Sequence, residues 1–148
     1  MDREYYMQRA LEMAREAFNS DEVPVGCVIT DSNGKIIASG KNRMNEKSDA
    51  CSHAEIEAIR MAEEVVGDWR LDGCTLYVNL EPCPMCAGAI INTRISTIVF
   101  GARDYEKGAC GGVIDLFSER FPHKPMVYSN VLSDESEKLL KEFFKQKR

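Results

Sequence analysis

The chain has 148 residues, of which 44% are hydrophobic and 29% are charged, and its formal net charge at pH 7 is −5. A chain of this length buries roughly two-thirds of its unfolded surface in one domain, so it needs neither disulfides nor a metal ion to fold. No apolar run approaches the roughly 20 residues that span a bilayer, and the polar, acidic start of the chain is unlike a signal peptide, so we expect a cytoplasmic protein without membrane contact.

The first half of the chain predicts a helix, a hairpin and a second helix. Apolar pairs recur three or four residues apart over residues 6–18, which is the period of an amphipathic helix. Two short β-branched segments flank Asn33-Gly34, a pair whose positive φ angles suit a tight hairpin turn. A second helical segment is followed by Gly67, a suitable left-handed cap. The predicted strands are 25–30 and 35–39, and the second helix is 54–66.

The second half predicts a parallel strand pair joined by a helix. A strand, a helix and a strand follow one another at the spacing of a crossover connection, and a loop with four glycines comes next. Asp134 and Glu137 form a capping box for a final helix. The segments are strand 75–78, helix 84–92, strand 97–100, loop 101–112, short helix 114–119 and weak strand 126–128. The sequence therefore predicts one α/β domain over residues 1–148, a three-layer α/β/α sandwich with a mixed sheet of about five strands.

A histidine and two cysteines have the residue types and spacing of a zinc site. One imidazole, His53, and two thiolates, Cys83 and Cys86, leave the fourth tetrahedral position open for water, as in catalytic zinc sites. Cys83 and Cys86 begin a predicted helix, whose positive end favours thiolates. Glu55 remains as a carboxylate that can transfer protons. Residues two apart on a regular helix point in different directions, so His53 has to lie at the helix start if Glu55 is to reach the same cavity.

Two other interpretations of these cysteines remain open at this point. In a closed structural site, Cys51 would be the fourth ligand beside the histidine and the two cysteines. A Cys-x-x-Cys segment in a chain without an export signal is also the pattern of a redox pair. The remaining cysteines are expected to be free thiols, because disulfide frameworks are typical of short secreted chains.

The segments around the candidate ligands resemble the signature of the cytidine deaminase-like superfamily of zinc hydrolases. Further segments along nearly the whole chain look like the family of bacterial tRNA-specific adenosine deaminases. They are Val23–Gly26, Asn42–Arg43, Leu80–Ala89, Val99–Asp104 and Phe143–Phe144.

The resemblance implies a hydrolytic deamination that converts the wobble adenosine of a tRNA anticodon to inosine. It assigns one Zn²⁺ per subunit to His53, Cys83 and Cys86, where the metal would activate a water molecule for attack at C6 of the base. Glu55 would take the proton of this water, deliver it to the adjacent ring nitrogen and later protonate the leaving amine.

The resemblance also implies contacts to the substrate and to a partner subunit. Asn42 would bond the target nucleoside, the backbone of Ala54 would meet the base edge, and Asp104 would lie against the nucleic-acid backbone. Phe144 is the fourth candidate, although spacing alone predicts that Phe143 and Phe144 both belong to a helix core. The expected partners are a tRNA anticodon arm and a second copy of the chain in a homodimer.

Two further functions stay open on the sequence. A deaminase of a free base or nucleoside, such as guanine or cytosine, would share the metal motif and would suit the acidic pI of about 5.1. A zinc-stabilised binding module would carry the ligands without catalysis. The negative charge argues against a general binder of polyanions, although residues 138–148 hold five basic side chains and a single acid.

Overall fold

The computed structural model describes residues 2–147 as a five-stranded sheet with helices on both faces. The helices are α1 (Arg3–Asn19), α2 (Met44–Lys47), α3 (Ala54–Val66), α4 (Pro84–Thr93) and α5 (Ser133–Gln146). The strands are β1 (Gly26–Thr30), β2 (Ile36–Lys41), β3 (Thr75–Leu80), β4 (Thr97–Ala102) and β5 (Met126–Tyr128). No helix in residues 2–147 combines the length and the apolar character that a bilayer-spanning segment needs.

The sheet is mixed, with the strand order β2-β1-β3-β4-β5. Strand β1 is antiparallel to β2 and to β3, whereas β4 is parallel to β3 and to β5. Helix α4 therefore forms the crossover between two parallel neighbours, and the predicted mixed α/β/α architecture is confirmed. Because β3 and β4 run in the same direction, the loops that follow Leu80 and Ala102 leave the same edge of the sheet, where open α/β sheets place their ligands.

The sheet separates two apolar cores, and successive strand residues alternate between them. Val28, Tyr77 and Val99 point to one face and pack with α1 and with Leu139 of α5. Their neighbours point to the other face and pack with α3 and α4. These neighbours are Cys27, Ile29, Leu76, Val78, Ile98 and Phe100. Successive side chains of a strand point to opposite faces of the sheet, so a strand between two cores is buried on both sides. Packing on both faces fixes the ends of β3 and β4.

Helix α3 approaches β2 so closely that the strand needs a glycine. A Cβ atom on Gly40 would lie 2.3 Å from the carbonyl oxygen of Ala54, the first residue of α3. Gly26 has the same role on the opposite face, where a Cβ would lie 2.1 Å from the carbonyl oxygen of Ala10 in α1. Helix α3 follows His53 directly, and its first residue can lie this close to β2 only because residue 40 is a glycine.

Two local predictions are wrong, each for a physical reason. The hairpin is not a two-residue turn on Asn33-Gly34, because only Gly34 has a positive φ (83°) and the Asp31 carboxylate accepts hydrogen bonds from the backbone of Asn33 and Lys35. Helix α5 has no capping box, since it begins at Ser133 after Leu132, which adopts a left-handed conformation and makes no side-chain cap. The predicted short helix near residues 114–119 is present as a 3-10 helix of three residues, Leu116–Ser118.

Candidate active site

The candidate metal ligands lie where two helices begin. His53 is the N-cap residue of α3 and Cys83 is the N-cap residue of α4, both with extended backbone angles. N-cap side chains commonly bond the first turn of their own helix, but neither of these does so. Pro84 follows Cys83 at the first helical position, where its missing N–H is not needed. Both side chains are therefore available for a ligand, at the positive ends of two helices.

The three donor atoms have the spacing of a zinc tetrahedron. The Nδ1 atom of His53 lies 3.6 Å from the Sγ atom of Cys83 and 3.6 Å from that of Cys86. Zn–N and Zn–S bonds of about 2.0 and 2.3 Å at tetrahedral angles place nitrogen and sulfur about 3.5 Å apart, close to the two observed distances. All three donor atoms lie within 4.8 Å of one another, and residues 2–147 contain no other His, Cys, Asp or Glu group of this kind. The donor set and its geometry fit one zinc ion.

The two thiols differ in acidity. Hydrogen bonds from Cys86 and His53 lower the pKa of Cys83 to about 4. The pKa of Cys86 is raised, because its sulfur is hydrogen-bonded to Cys83 and is buried. Cys83 is thus the more acidic thiol, and a dication would have to displace the proton of Cys86 when it binds both sulfur atoms.

Cys51 does not complete a closed site. It is exposed in the turn before α3 and is absent from the group of donor atoms that lie within 4.8 Å of one another. The ligand set provided by residues 2–147 therefore has three members, and two of them, His53 and Cys83, line a cavity from which a water molecule could reach a bound ion.

Glu55 lies beside the ligands and is almost fully buried. Only 3% of its surface is exposed, and burial raises the pKa of its carboxyl group to about 7. Because His53 is the N-cap and not a helical residue, Glu55 in the first turn lines the same cavity as His53 and Cys83. A carboxyl group with this pKa can both accept and release a proton near neutral pH.

The cavity has a volume of about 600 Å³ and opens from the metal ligands to the surface. Three segments form its sides: α2 contributes Met44, α5 contributes Leu140 and Phe144, and the wall loop (residues 103–112) contributes Arg103 to Lys107. A surface hollow of similar size lies at the end of α3, but none of the predicted site residues lines it.

Two of the predicted substrate contacts, Asn42 and Ala54, are bonded to each other. The side-chain oxygen of Asn42 accepts a hydrogen bond of 2.9 Å from the backbone N–H of Ala54. This bond fixes the amide orientation, so the NH₂ group of Asn42 is the end that can donate into the cavity. A base edge could use the Ala54 N–H only by sharing it with Asn42. The roles of both residues toward a substrate stay predictions.

The other two predicted contacts, Asp104 and Phe144, line the cavity. The Asp104 carboxylate accepts hydrogen bonds from the backbone of Glu106 and Lys107, at 3.0 and 3.1 Å, and so stabilises the turn at the cavity edge. Phe144 is 48% exposed, whereas Phe143 is 6% exposed and packs edge to face against Phe18. The two adjacent phenylalanines thus separate into a core residue and a cavity residue.

Two buried carboxylates that position the cavity walls were not predicted from the sequence. Glu22 accepts hydrogen bonds from the backbone of Asn45 and Glu46 and so fixes α2. Glu81 accepts bonds from the wall loop and is 2% exposed. Their partners are distant in sequence and are backbone groups, which leave no pattern in the amino-acid sequence. The only available signal was an acid at the end of an apolar strand, directly before Pro82.

The fold and the zinc site together define a class of zinc-dependent hydrolytic deaminases, and comparison with known proteins agrees. The family model for the cytidine and deoxycytidylate deaminase zinc-binding region matches residues 1–102. A tRNA-specific adenosine deaminase from Agrobacterium fabrum is 45% identical over 148 residues, which cover 99% of this chain and 97% of that protein. A tRNA(Ile)-lysidine synthase from Deinococcus deserti is 44% identical over 142 residues, 96% of this chain, but the chain spans 27% of that longer protein.

A solved structure from studies of A-to-I editing by tRNA:A34 deaminases at the wobble position of transfer RNA superimposes with a TM-score of 0.89. It is 44% identical to this chain, and the superposition covers 92% of this chain and 99% of the other. The chain belongs to the cytidine and deoxycytidylate deaminase zinc-binding family and, within it, to the family of tRNA-specific adenosine deaminases. The predicted family, fold and zinc cofactor are therefore confirmed.

Proposed function

We propose that this protein hydrolyses the wobble adenosine of a tRNA anticodon to inosine and ammonia. The observation that carries the proposal is the pairing of three metal ligands with the buried carboxylate of Glu55 on the wall of one open cavity. The identity of 45% to a tRNA-specific adenosine deaminase over nearly both full lengths supports the choice of substrate.

In the proposed reaction Glu55 moves each proton. Zinc held by His53, Cys83 and Cys86 would supply a Lewis acid that lowers the pKa of a water molecule from 15.7 to about 7. Glu55 accepts a proton from the attacking water and delivers it to the ring nitrogen next to C6. It then carries the second proton to the departing amine, so one water is consumed and one ammonia leaves. A pKa near neutrality suits a group that has to act as base and acid in turn.

The substrate contacts are proposed for the four residues around the cavity. The Asn42 NH₂ group would donate a hydrogen bond to the nucleoside, and the backbone of Ala54 would share its N–H with the base edge. The exposed ring of Phe144 would stack on a base, which suits single-stranded RNA whose bases are turned outward. Asp104 would act at the cavity edge, beside the nucleic-acid backbone.

We further propose that residues 1–148 act as one deaminase domain in a cytoplasmic homodimer that binds a tRNA anticodon arm. The single five-stranded sheet supports one domain. Helix α4 supports a second subunit, because its outward face is largely apolar and is left only partly covered at Met85, Gly88 and Ala89. A Cβ on Gly88 would meet no atom within 4 Å, so another surface can approach the backbone there.

Mass spectrometry of reaction products tests the proposed reaction. The purified, zinc-loaded protein would be incubated with an anticodon stem-loop that carries adenosine at the wobble position, and in parallel with free adenosine, cytidine and guanine. We expect a mass gain of about 1 Da at the wobble nucleoside alone, since replacement of NH₂ by OH is the only change. Turnover of a free base or nucleoside at a higher kcat/KM would instead establish the alternative function.

Salt dependence separates the same two functions through binding. An RNA held through phosphate contacts loses affinity steeply as salt rises, whereas a neutral nucleoside does not. The basic residues of α5 lie on the helix that brings Phe144 to the cavity, which supports a phosphate contact there. The expected result is a KM for the stem-loop that rises at least tenfold between 50 and 200 mM salt.

A further inference from the structure

Glu81 connects the metal-ligand segment, residues 83–86 with Cys83 and Cys86, to the wall loop on the other side of the cavity. It follows β3, lies two residues before Cys83, and its side chain is fully buried. One carboxylate oxygen accepts the backbone N–H of Asp104 at 3.0 Å, and the other accepts those of Cys110 at 2.8 Å and Gly112 at 2.9 Å. A single side chain thus fixes both ends of the wall loop.

The wall loop has few other connections to the metal-ligand segment. The N–H of Ala109 donates to the carbonyl oxygen of Pro82, and Cys110 forms an isolated bridge with Asp115. The guanidinium of Arg103 lies 3.6 Å from the Glu81 carboxylate and also donates to the carbonyl oxygen of Cys110. Ala109 and Cys110 are also buried in the apolar core on the α3 and α4 face of the sheet, whereas the Asp104 end of the loop is held to this segment by Glu81.

Two glycines of the wall loop let the backbone pack closely around Glu81. A Cβ on Gly108 would lie 2.3 Å from one carboxylate oxygen of Glu81 and 2.4 Å from the carbonyl oxygen of Asp104. A Cβ on Gly112 would lie 2.2 Å from the carbonyl oxygen of Asp104 and 2.7 Å from the other carboxylate oxygen. Neither position has a φ that requires glycine, since only Gly111 in this loop does. The absence of side chains at these two positions therefore leaves room both for the Glu81 carboxylate and for the turn at Asp104.

A buried carboxylate is costly unless hydrogen bonds compensate its charge, and Glu81 has three backbone donors and one guanidinium. The bond from the Asp104 N–H to Glu81 holds the backbone at the cavity edge against the segment that leads to Cys83. Tyr105, the next residue, also lines the cavity and is 78% exposed.

We propose that Glu81 is a positioning residue that sets the substrate wall relative to the zinc ligands, an inference that rests on the proposed function. Glu81 is not one of the three metal ligands, and we assign its effect to the wall loop that it holds. Its removal should therefore weaken substrate engagement, seen in KM, more than the chemical step, seen in kcat. Zinc content should not change, because the ligands themselves keep their places at the helix starts.

Glu81→Gln is the sharpest test, because it preserves size and replaces one acceptor oxygen by NH₂. The single amide oxygen keeps two hydrogen bonds if it accepts the N–H groups of Cys110 and Gly112. The NH₂ group then faces the N–H of Asp104, which is also a donor, so that hydrogen bond is lost and the Asp104 end of the loop is released. We expect KM for the anticodon stem-loop to rise about tenfold, kcat to change less than about threefold, and zinc to stay at one ion per chain. Glu119→Gln, at an exposed position, is the control with the same charge change.

Hydrogen exchange of the zinc-loaded protein provides a readout that needs no substrate. The amides of Asp104, Cys110 and Gly112 should be protected in the wild type, and Glu81→Gln should accelerate exchange most at Asp104. Rapid exchange at these amides in the wild type overturns the proposal even if the variant fails to fold. It is also overturned if Glu81→Gln leaves KM unchanged, or if it loses zinc and kcat while KM stays the same. An inactive wild type would instead reject the proposed function, and the exchange result would still test the loop contact.

Discussion

Glu55 and His53 are two residues apart, yet only His53 is suited to bind the metal, which leaves Glu55 free to transfer protons. Replacement of Glu55 by alanine should therefore preserve one zinc per chain while turnover falls by about 10²–10⁴-fold, the usual contribution of a general acid–base. Metal analysis and kcat on the same preparation check this. Loss of stoichiometric zinc from a correctly folded Glu55→Ala protein would contradict the assigned role.

Phe143 and Phe144 form a matched pair for separating stability from binding. Phe143→Ala removes a ring from the core and should lower the free energy of unfolding by about 3–5 kcal/mol. Phe144→Ala removes a half-exposed ring from the cavity, so it should leave the melting temperature almost unchanged and raise KM for the stem-loop about tenfold, the effect of one lost stacking contact. Thermal melts and kinetics measure the two effects. If Phe144→Ala leaves KM unchanged, the stacking role is wrong.

At the level of residues, the sequence predicted the groups whose chemistry is unusual and missed those whose role is geometric. An imidazole, two thiolates and a spare carboxylate indicate zinc by type and spacing, and the structure brings the three donors together. Glu22 and Glu81 act on backbone N–H groups 23 to 31 residues away, which any amino acid could provide. Only the folded chain reveals such contacts.

At the level of elements, the close approach of α3 to β2 is what places His53 and Glu55. Gly40→Ala would put a methyl group 2.3 Å from the Ala54 carbonyl oxygen, so the start of α3 has to move away from the sheet. We expect zinc affinity to fall roughly 10–100-fold, as for changes that disturb the support of a metal ligand. Competition with a chromophoric chelator measures this. Ser39→Ala, at the neighbouring position of β2 that points to the opposite face of the sheet, should keep the wild-type affinity; equal affinities for both variants would contradict the account.

The major elements were predictable because their signals are local. Helix α3 begins at Ala54 and ends at Val66, with Gly67 (φ 78°) as its cap, as its periodicity indicated, and the β3-α4-β4 crossover follows from the order of its segments. Helix α2 was missed because its four residues are fixed by Glu22, a distant carboxylate. The capping box of α5 was wrong because the backbone of Leu132 turns the chain instead.

At the level of the whole molecule, neither of the two apolar cores includes a metal ligand, so we expect both to be stable without the ion. Removal of zinc with a chelator should abolish activity, lower the melting temperature by the binding contribution alone, and leave the far-UV circular dichroism unchanged. Readdition of Zn²⁺ should restore turnover. Cooperative unfolding on chelation would contradict this expectation, because it would identify the ion as a structural element of a binding module.

The central claim is that three side chains hold the zinc ion and leave its fourth position to solvent. X-ray absorption spectroscopy of the zinc-loaded protein tests this claim directly, with the Cys51→Ser variant as the control. We predict two sulfur scatterers at about 2.3 Å and two nitrogen or oxygen scatterers at about 2.0–2.1 Å, the same in both proteins. A third sulfur that disappears in Cys51→Ser would contradict the claim, because the site would then be closed to water.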